Sequence, residues 1–183
     1  MPSGRADLYV YPGMNISDVL AAVPDSIVLR KRSLERVLSA LPAYEIKPGH
    51  YVIEKGKPSI YVPRMLKAGW QTPVKLVLSG TMRQKGAIAR KISNQMMMDS
   101  ATVASALDDK DLLGNYGFGP RDVFSLFMPD TYEVYWTDGM KEILDKQKAA
   151  ADQFIHLFTL RDERTGELMT DRLRFAFLEV EHQ

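Results

Sequence analysis

The segment FSLFMPDTYEVYW, residues 124–136, concentrates the side chains best suited to chemistry. It sets the carboxylates of Asp130 and Glu133 among Phe127, Tyr132, Tyr135 and Trp136. Aromatic rings pack on the apolar faces of pyranoses, and carboxylates accept hydrogen bonds from sugar hydroxyls. A carboxyl group lodged in an apolar pocket can also act as a general acid, which makes Glu133 a candidate acid. The plainer reading of the same residues, which their types favour, is a strand whose aromatics are core and whose Asp130-Thr131 is a turn or cap. Residue types leave both readings open.

Other chemistry-bearing stretches carry less. GTMRQKG, residues 80–86, follows a strand as a phosphate loop would, but lacks the Gly-Lys-Ser/Thr ending that reaches phosphate and magnesium. It reads as a strand-to-helix connection. Met96, Met97 and Met98 read as core plus a helix end. Asp108-Asp109-Lys110-Asp111 lacks the spacing and glycine of a calcium loop and reads as a solvated turn. The three histidines, His50, His156 and His182, stand far apart without metal-ligand spacing, so no metal is expected. No lysine has the context of a pyridoxal phosphate Schiff base, and no cofactor is expected.

Composition sets the frame. The chain has 183 residues, 45% hydrophobic and 26% charged, as a globular protein would be. Its 24 basic and 23 acidic residues nearly cancel, so nucleic acid is not an expected partner. No apolar run approaches the ~20 residues that span a bilayer. The absence of cysteine excludes disulfides, thiolate metal sites and a cysteine nucleophile. No signal-type segment is visible, so as written the chain is expected to be cytoplasmic or a soluble piece of a larger protein.

The elements that must position these residues are short. Residues 8–11 alternate as a strand and stop at Pro12-Gly13. Asn15 or Ser17 can cap a helix carrying Ile16, Val19, Leu20 and Val23. Ser33 is expected to cap a second, with Leu34, Val37, Leu38 and Leu41 on one face. Residues 50–53 form a strand. Ser59 opens a helix that Gly69 closes, with Pro63 in its first turn. Residues 74–78 alternate as a strand, and 84–97 read as a helix. Residues 100–107 form another helix, and an irregular connector runs through Gly114, Gly117 and Gly119. An amphipathic helix over 138–154 presents Met140, Ile143, Leu144, Gln147, Ala151 and Phe154. Residues 155–160 and 172–180 are β-like and flank a polar loop, which predicts a terminal hairpin. The fold class is α+β, built from small strand–helix units.

The order of these features resembles the YceG-like endolytic murein transglycosylases. The resemblance rests on LYVYPGMNISDVLAAV (8–23), IKPGHYVIEKGKPS (46–59), MLKAGWQTPVKLVL (65–78) and LFMPDTYEVYW (126–136). Gly49, Tyr51 and Ile53 fit the family's G-x-Y-x-I strand. Phe127, Pro129, Asp130, Thr131 and Tyr132 fit its F-P-D-T-Y signature, with Met128 inserted. The resemblance implies a LysM-like subdomain over 1–80, the start of a transglycosylase-like domain over 81–154, and a divergent hairpin over 155–183. It implies a bacterial, membrane-anchored enzyme facing the periplasm, with peptidoglycan glycan strands as partner. Its chemistry is cleavage of the MurNAc–GlcNAc bond to leave 1,6-anhydro-MurNAc ends, one glutamic acid serving as acid and then base. Asp130, Thr131, Tyr132, Tyr135 and Trp136 become the expected substrate contacts.

Two departures shape the expected function. The family's A-S-I-[IV]-E-x-E-T segment, which holds its catalytic glutamate, does not occur in this sequence. No run in the sequence reads as the transmembrane anchor that the resemblance implies. The final residues 155–183 do not fit the family and weakly resemble a PD-(D/E)XK transposase-type nuclease segment, without its catalytic residues. The expectation is a truncated, inactive transglycosylase-like chain. The alternative is a non-catalytic peptidoglycan-binding or scaffold module, or a structural remnant.

Overall fold

The computed structural model describes residues 4–25, 27, 31–40, 46–80 and 82–162. The chain is α+β and divides into two compact units. One comprises Met1–Lys75 and Glu133–Thr137, the other Leu76–Tyr132 and Asp138–Gln183.

In the first unit, β1 (Arg5–Val10) turns Leu8 and Val10 into the core and Arg5, Asp7 and Tyr9 outward, as period-two alternation requires. Gly13, at φ 83°, supplies the left-handed residue of the turn that follows, where the Met14 N–H donates to the Tyr11 carbonyl. α1 (Ile16–Ala22) begins with a capping box. Asn15 Oδ1 accepts the Asp18 N–H at 3.0 Å, and Asp18 Oδ2 accepts the Asn15 N–H at 2.9 Å. α2 (Lys31–Ser39) starts before Ser33, so that serine lies inside the helix rather than capping it.

β2 (Gly49–Glu54) pairs antiparallel with β1, placing His50 opposite Tyr9 and Glu54 opposite Arg5. α3 (Tyr61–Ala68) buries Val62, Met65 and Leu66 and carries Pro63 in its first turn. Gly69, at φ 72°, ends it, and the Gly69 N–H donates to the Met65 carbonyl at 2.9 Å. Leu8, Val10, Val19, Leu34, Leu38, Tyr51, Ile53 and Leu66 belong to one core cluster.

β3 (Val74–Leu78) and β4 (Asp130–Val134) make a second two-stranded sheet. In the second unit, α4 (Lys85–Ser93) packs on α5 (Ser100–Asp108), burying Ile88, Ile92, Val103 and Leu107. The sequence predicts α4 to reach Met97, but it stops at Ser93. Just beyond, the Gln95 amide turns back. It donates to the Val77 and Lys91 carbonyls and accepts the Val77 N–H at 2.9 Å. Met96 is core, as expected.

The stretch expected to be a solvated turn starts a further helix, α6 (Lys110–Gly114). Asp109 caps it by accepting the Asp111 and Leu112 N–H groups, each at 3.0 Å. The acidic run is therefore a cap, a role that its charge alone does not reveal. A 3-10 turn, Val123–Leu126, precedes β4.

α7 (Met140–Asp162) runs longer than expected. Residues 155–160, expected to be the first hairpin strand, continue this helix. The rest of the expected hairpin lies outside the described residues.

Candidate functional site

β4 sorts the expected site residues onto two faces. From Thr131 to Trp136, two residues past the strand, Thr131, Glu133 and Tyr135 face outward and Tyr132 and Trp136 are buried, while Asp130 is exposed at the strand's start. The alternation is that of any strand with one covered face, and it separates rings that share a sequence segment. Tyr132 Oη donates to the Met128 carbonyl at 3.0 Å. The Met128 N–H in turn donates to Gln147 Oε1 at 3.1 Å. Both polar groups of the Met128 backbone are thus held by side chains, and Pro129 follows with no N–H to satisfy. This clasp delivers Asp130 and Thr131 to the surface at the start of β4. Burial pushes the Tyr132 phenol up, and Asp130 adds to the effect. Gln147 Nε2 is buried without a hydrogen-bond partner. Gln147 works against the rise in the Tyr132 phenol without reversing it.

The first unit holds a second aromatic grouping. Tyr9 and Tyr11, on the outward face of β1 and just beyond it, are 41% and 52% exposed. Trp136, 5% exposed, meets both rings edge-on, with centroids 5.1 Å from Tyr9 and 4.8 Å from Tyr11. Such T-shaped contacts set the positive ring edge of one residue against the negative face of another. Tyr9 also stacks on the His50 ring at 4.7 Å. Burial raises the Tyr9 phenol, and Asp7 and Tyr11 raise it further.

His50 is buried beneath Tyr9 and bonds at both ring nitrogens. Nδ1 lies 2.9 Å from the Thr72 carbonyl and Nε2 2.8 Å from Asp7 Oδ1. With both nitrogens engaged, His50 is a fastening for the outer face of the β1–β2 sheet rather than an open base.

The G-x-Y-x-I residues serve the fold. Tyr51 and Ile53 are core side chains, and Tyr51 Oη donates to the Lys47 carbonyl at 2.8 Å. Gly49 lies under the Gln71 side chain, where an added Cβ would sit 2.5 Å from Gln71 Cδ. The Gln71 side chain in turn accepts from Thr137 Oγ1 at 3.1 Å.

In the sequence Tyr9 and Tyr11 read only as alternating strand residues. The signal was available: two tyrosines at i and i+2 on a strand share a face, and Asp7 shares it too. What the sequence did not offer was Trp136 beneath them. Among the described residues no group of three or more acidic or histidine side chains could hold a metal. No described helix is long and apolar enough to cross a membrane.

This is an α+β chain whose signature motifs build cores, turns and a short strand that presents acidic and hydroxyl groups. A model of the YceG-like family matches residues 8–175, and the chain belongs to that family. The match extends past residue 154, where the resemblance read from the sequence ended. It thereby takes in most of the stretch expected to be foreign and nuclease-like. Among solved structures, the chain is similar to the yceG-like protein lmo1499 from Listeria monocytogenes. The two are 20% identical with a TM-score of 0.44, over 89% of this chain and 59% of that one. The chain therefore spans about three-fifths of that relative's length. No curated protein sequence matches it.

Proposed function

We propose that this chain contacts peptidoglycan glycan strands, as the glycan-holding part of a murein lytic transglycosylase-type protein, and does not cleave them itself. Membership of the YceG-like family supports a bacterial, cell-wall-related role. The observation that carries the reading is the exposed Tyr9–Tyr11 pair with Asp7 on the same strand face. Two phenol rings offer apolar faces to sugar rings. A carboxylate on the same face accepts their hydroxyl hydrogens. Asp130 and Thr131 on β4, and Tyr135 just beyond it, are the outward groups assigned to substrate, whereas Tyr132 and Trp136 are buried.

The A-S-I-[IV]-E-x-E-T segment is absent from the sequence, so the family's acid has no counterpart among these residues. Glu133 stands exposed on the outer face of β4, where water rather than an apolar pocket surrounds it. That placement favours a binding role over proton donation.

The test is incubation of the purified chain with peptidoglycan sacculi. The fraction that pellets reports binding, and mass spectrometry of the supernatant reports anhydro-MurNAc ends. The expected result is pelleting without product. Absence of pelleting would overturn the glycan reading, and anhydro ends would overturn the non-catalytic one.

A further inference from the structure

Resting on that glycan reading, we infer that Trp136 is a positioning residue. It braces Tyr9 and Tyr11 into a two-ring platform for a β-1,4-linked N-acetylhexosamine oligosaccharide without touching the sugar. Tyr9 and Tyr11 are two residues apart on an extended chain, so their Cα atoms are ~6.8 Å apart and the rings can meet neighbouring sugars of one strand. Left alone, two half-exposed phenols would sample several rotamers, and ordering them on binding would cost entropy. Trp136 removes that freedom. It is 5% exposed and meets both tyrosine rings edge-on at 5.1 and 4.8 Å.

The residue next to the indole is anchored. Thr137 Oγ1 donates to Gln71 Oε1 at 3.1 Å. Gln71 lies over Gly49, so close that a Cβ there would stand 2.5 Å from Gln71 Cδ. His50 closes the other side of Tyr9 by stacking at 4.7 Å. The platform is therefore built from β1, β2 and the distant stretch Glu133–Thr137, all within one compact unit. Burial places Trp136 behind the rings that a ligand would meet. That is why it is assigned to positioning, whereas its sequence context suggested direct contact.

The experiment titrates the full chain with chitotetraose, following the tyrosine and tryptophan ring protons by NMR, in Tyr11→Ala, Trp136→Phe, Trp136→Leu and Thr137→Val. A second readout, without saccharide, is the ionisation of Tyr9, which burial holds above its ordinary value. Trp136→Phe keeps a ring edge and should bind within about twofold of the parent, whereas Trp136→Leu and Tyr11→Ala should each weaken binding about tenfold. Trp136→Leu should also let Tyr9 ionise at lower pH, because water reaches the phenol. Thr137→Val keeps shape but releases the residue next to Trp136 from Gln71, and should shift Tyr9 in the same direction with little change in melting temperature. It keeps the test decisive if Trp136→Leu does not fold.

An unchanged Tyr9 titration in both Trp136→Leu and Thr137→Val would overturn the brace. Ligand-induced shifts larger on Trp136 than on the tyrosines would overturn it too, by making the indole a direct contact. A parent chain that ignores chitotetraose, with Tyr9 still released by Trp136→Leu, would uphold the brace and defeat the glycan reading alone.

Discussion

Gln147, wholly buried on α7, accepts the backbone N–H of Met128 at 3.1 Å. One helix side chain thus fastens the turn that leads into β4, and Tyr132 completes the fastening by donating to the Met128 carbonyl. Gln147→Leu removes the acceptor and leaves a part-buried N–H unmet, which costs ~1–3 kcal/mol. The same change deletes the unpartnered Nε2, a gain that should bring the net loss to the lower end. Amide exchange at Met128 should accelerate more than exchange along α5. Gln147→Glu should be worse at neutral pH, because it buries a charge, and the difference should shrink on acidification.

Tyr116 Oη donates to Asp145 Oδ1 at 2.7 Å, and Lys141 Nζ reaches the same carboxylate at 2.8 Å. Burial and then Asp145 push the Tyr116 phenol up to about 12 from the ordinary 10.0. The folded chain keeps a proton that the unfolded chain releases. The contribution to stability is therefore complete below about pH 10 and is lost as pH rises toward 12. Tyr116→Phe should make this alkaline loss shallower. It should not flatten it, because the Lys141 ammonium, raised by the same carboxylate, loses its contribution in the alkaline range too. Lys141, then Tyr116, holds Asp145 below its ordinary 3.8, so its contribution is present above that value and lost as pH falls. Chemical denaturation across pH in parent and variant checks both arms.

His50 sets Nδ1 2.9 Å from the Thr72 carbonyl and Nε2 2.8 Å from Asp7 Oδ1. His50→Phe keeps a ring against Tyr9 but leaves the Thr72 carbonyl without its partner, and should cost ~1–3 kcal/mol. Asp7→Asn should cost under ~1 kcal/mol, because the Asp7 side chain is 65% exposed and water screens the pair. Denaturant midpoints of the two variants should fall in that order.

Glu133 is tested by Glu133→Gln, which keeps shape and removes the titratable group. Parent and variant should both pellet with sacculi and both leave the supernatant free of anhydro-MurNAc ends. Product from the parent that vanishes in the variant would identify Glu133 as an acid.

Local chemistry carried much of the fold into view. Asn15 caps α1, Gly69 closes α3, and β3 occupies the residues whose alternation foretold it, because caps and periodicity act within a turn or two of chain. The exceptions have local competitors that residue types do not rank. Asp109 turned an apparent solvated run into a helix cap, and Gln95 sent its side chain back to Val77 where α4 was expected to continue. Residues 155–160 alternate in a strand-like way yet continue α7, whose hydrogen-bonded ladder was already in place to be extended.

The candidate site was legible only in part. The sequence by itself determined the chemistry of the PDTYEVYW stretch, its strand form and the family pattern to which it conforms. Tertiary structure decided which of those side chains meet water and which serve as supports. Trp136 turned inward because Tyr9 and Tyr11, more than a hundred residues earlier, supply the surface that covers it. Gln147 reached Met128 because α7 lies against the turn before β4. The physical reason is range. Propensity, capping and periodicity are set by neighbours in sequence, whereas burial and hydrogen-bond partnership are set by whichever distant segment arrives to fill the space.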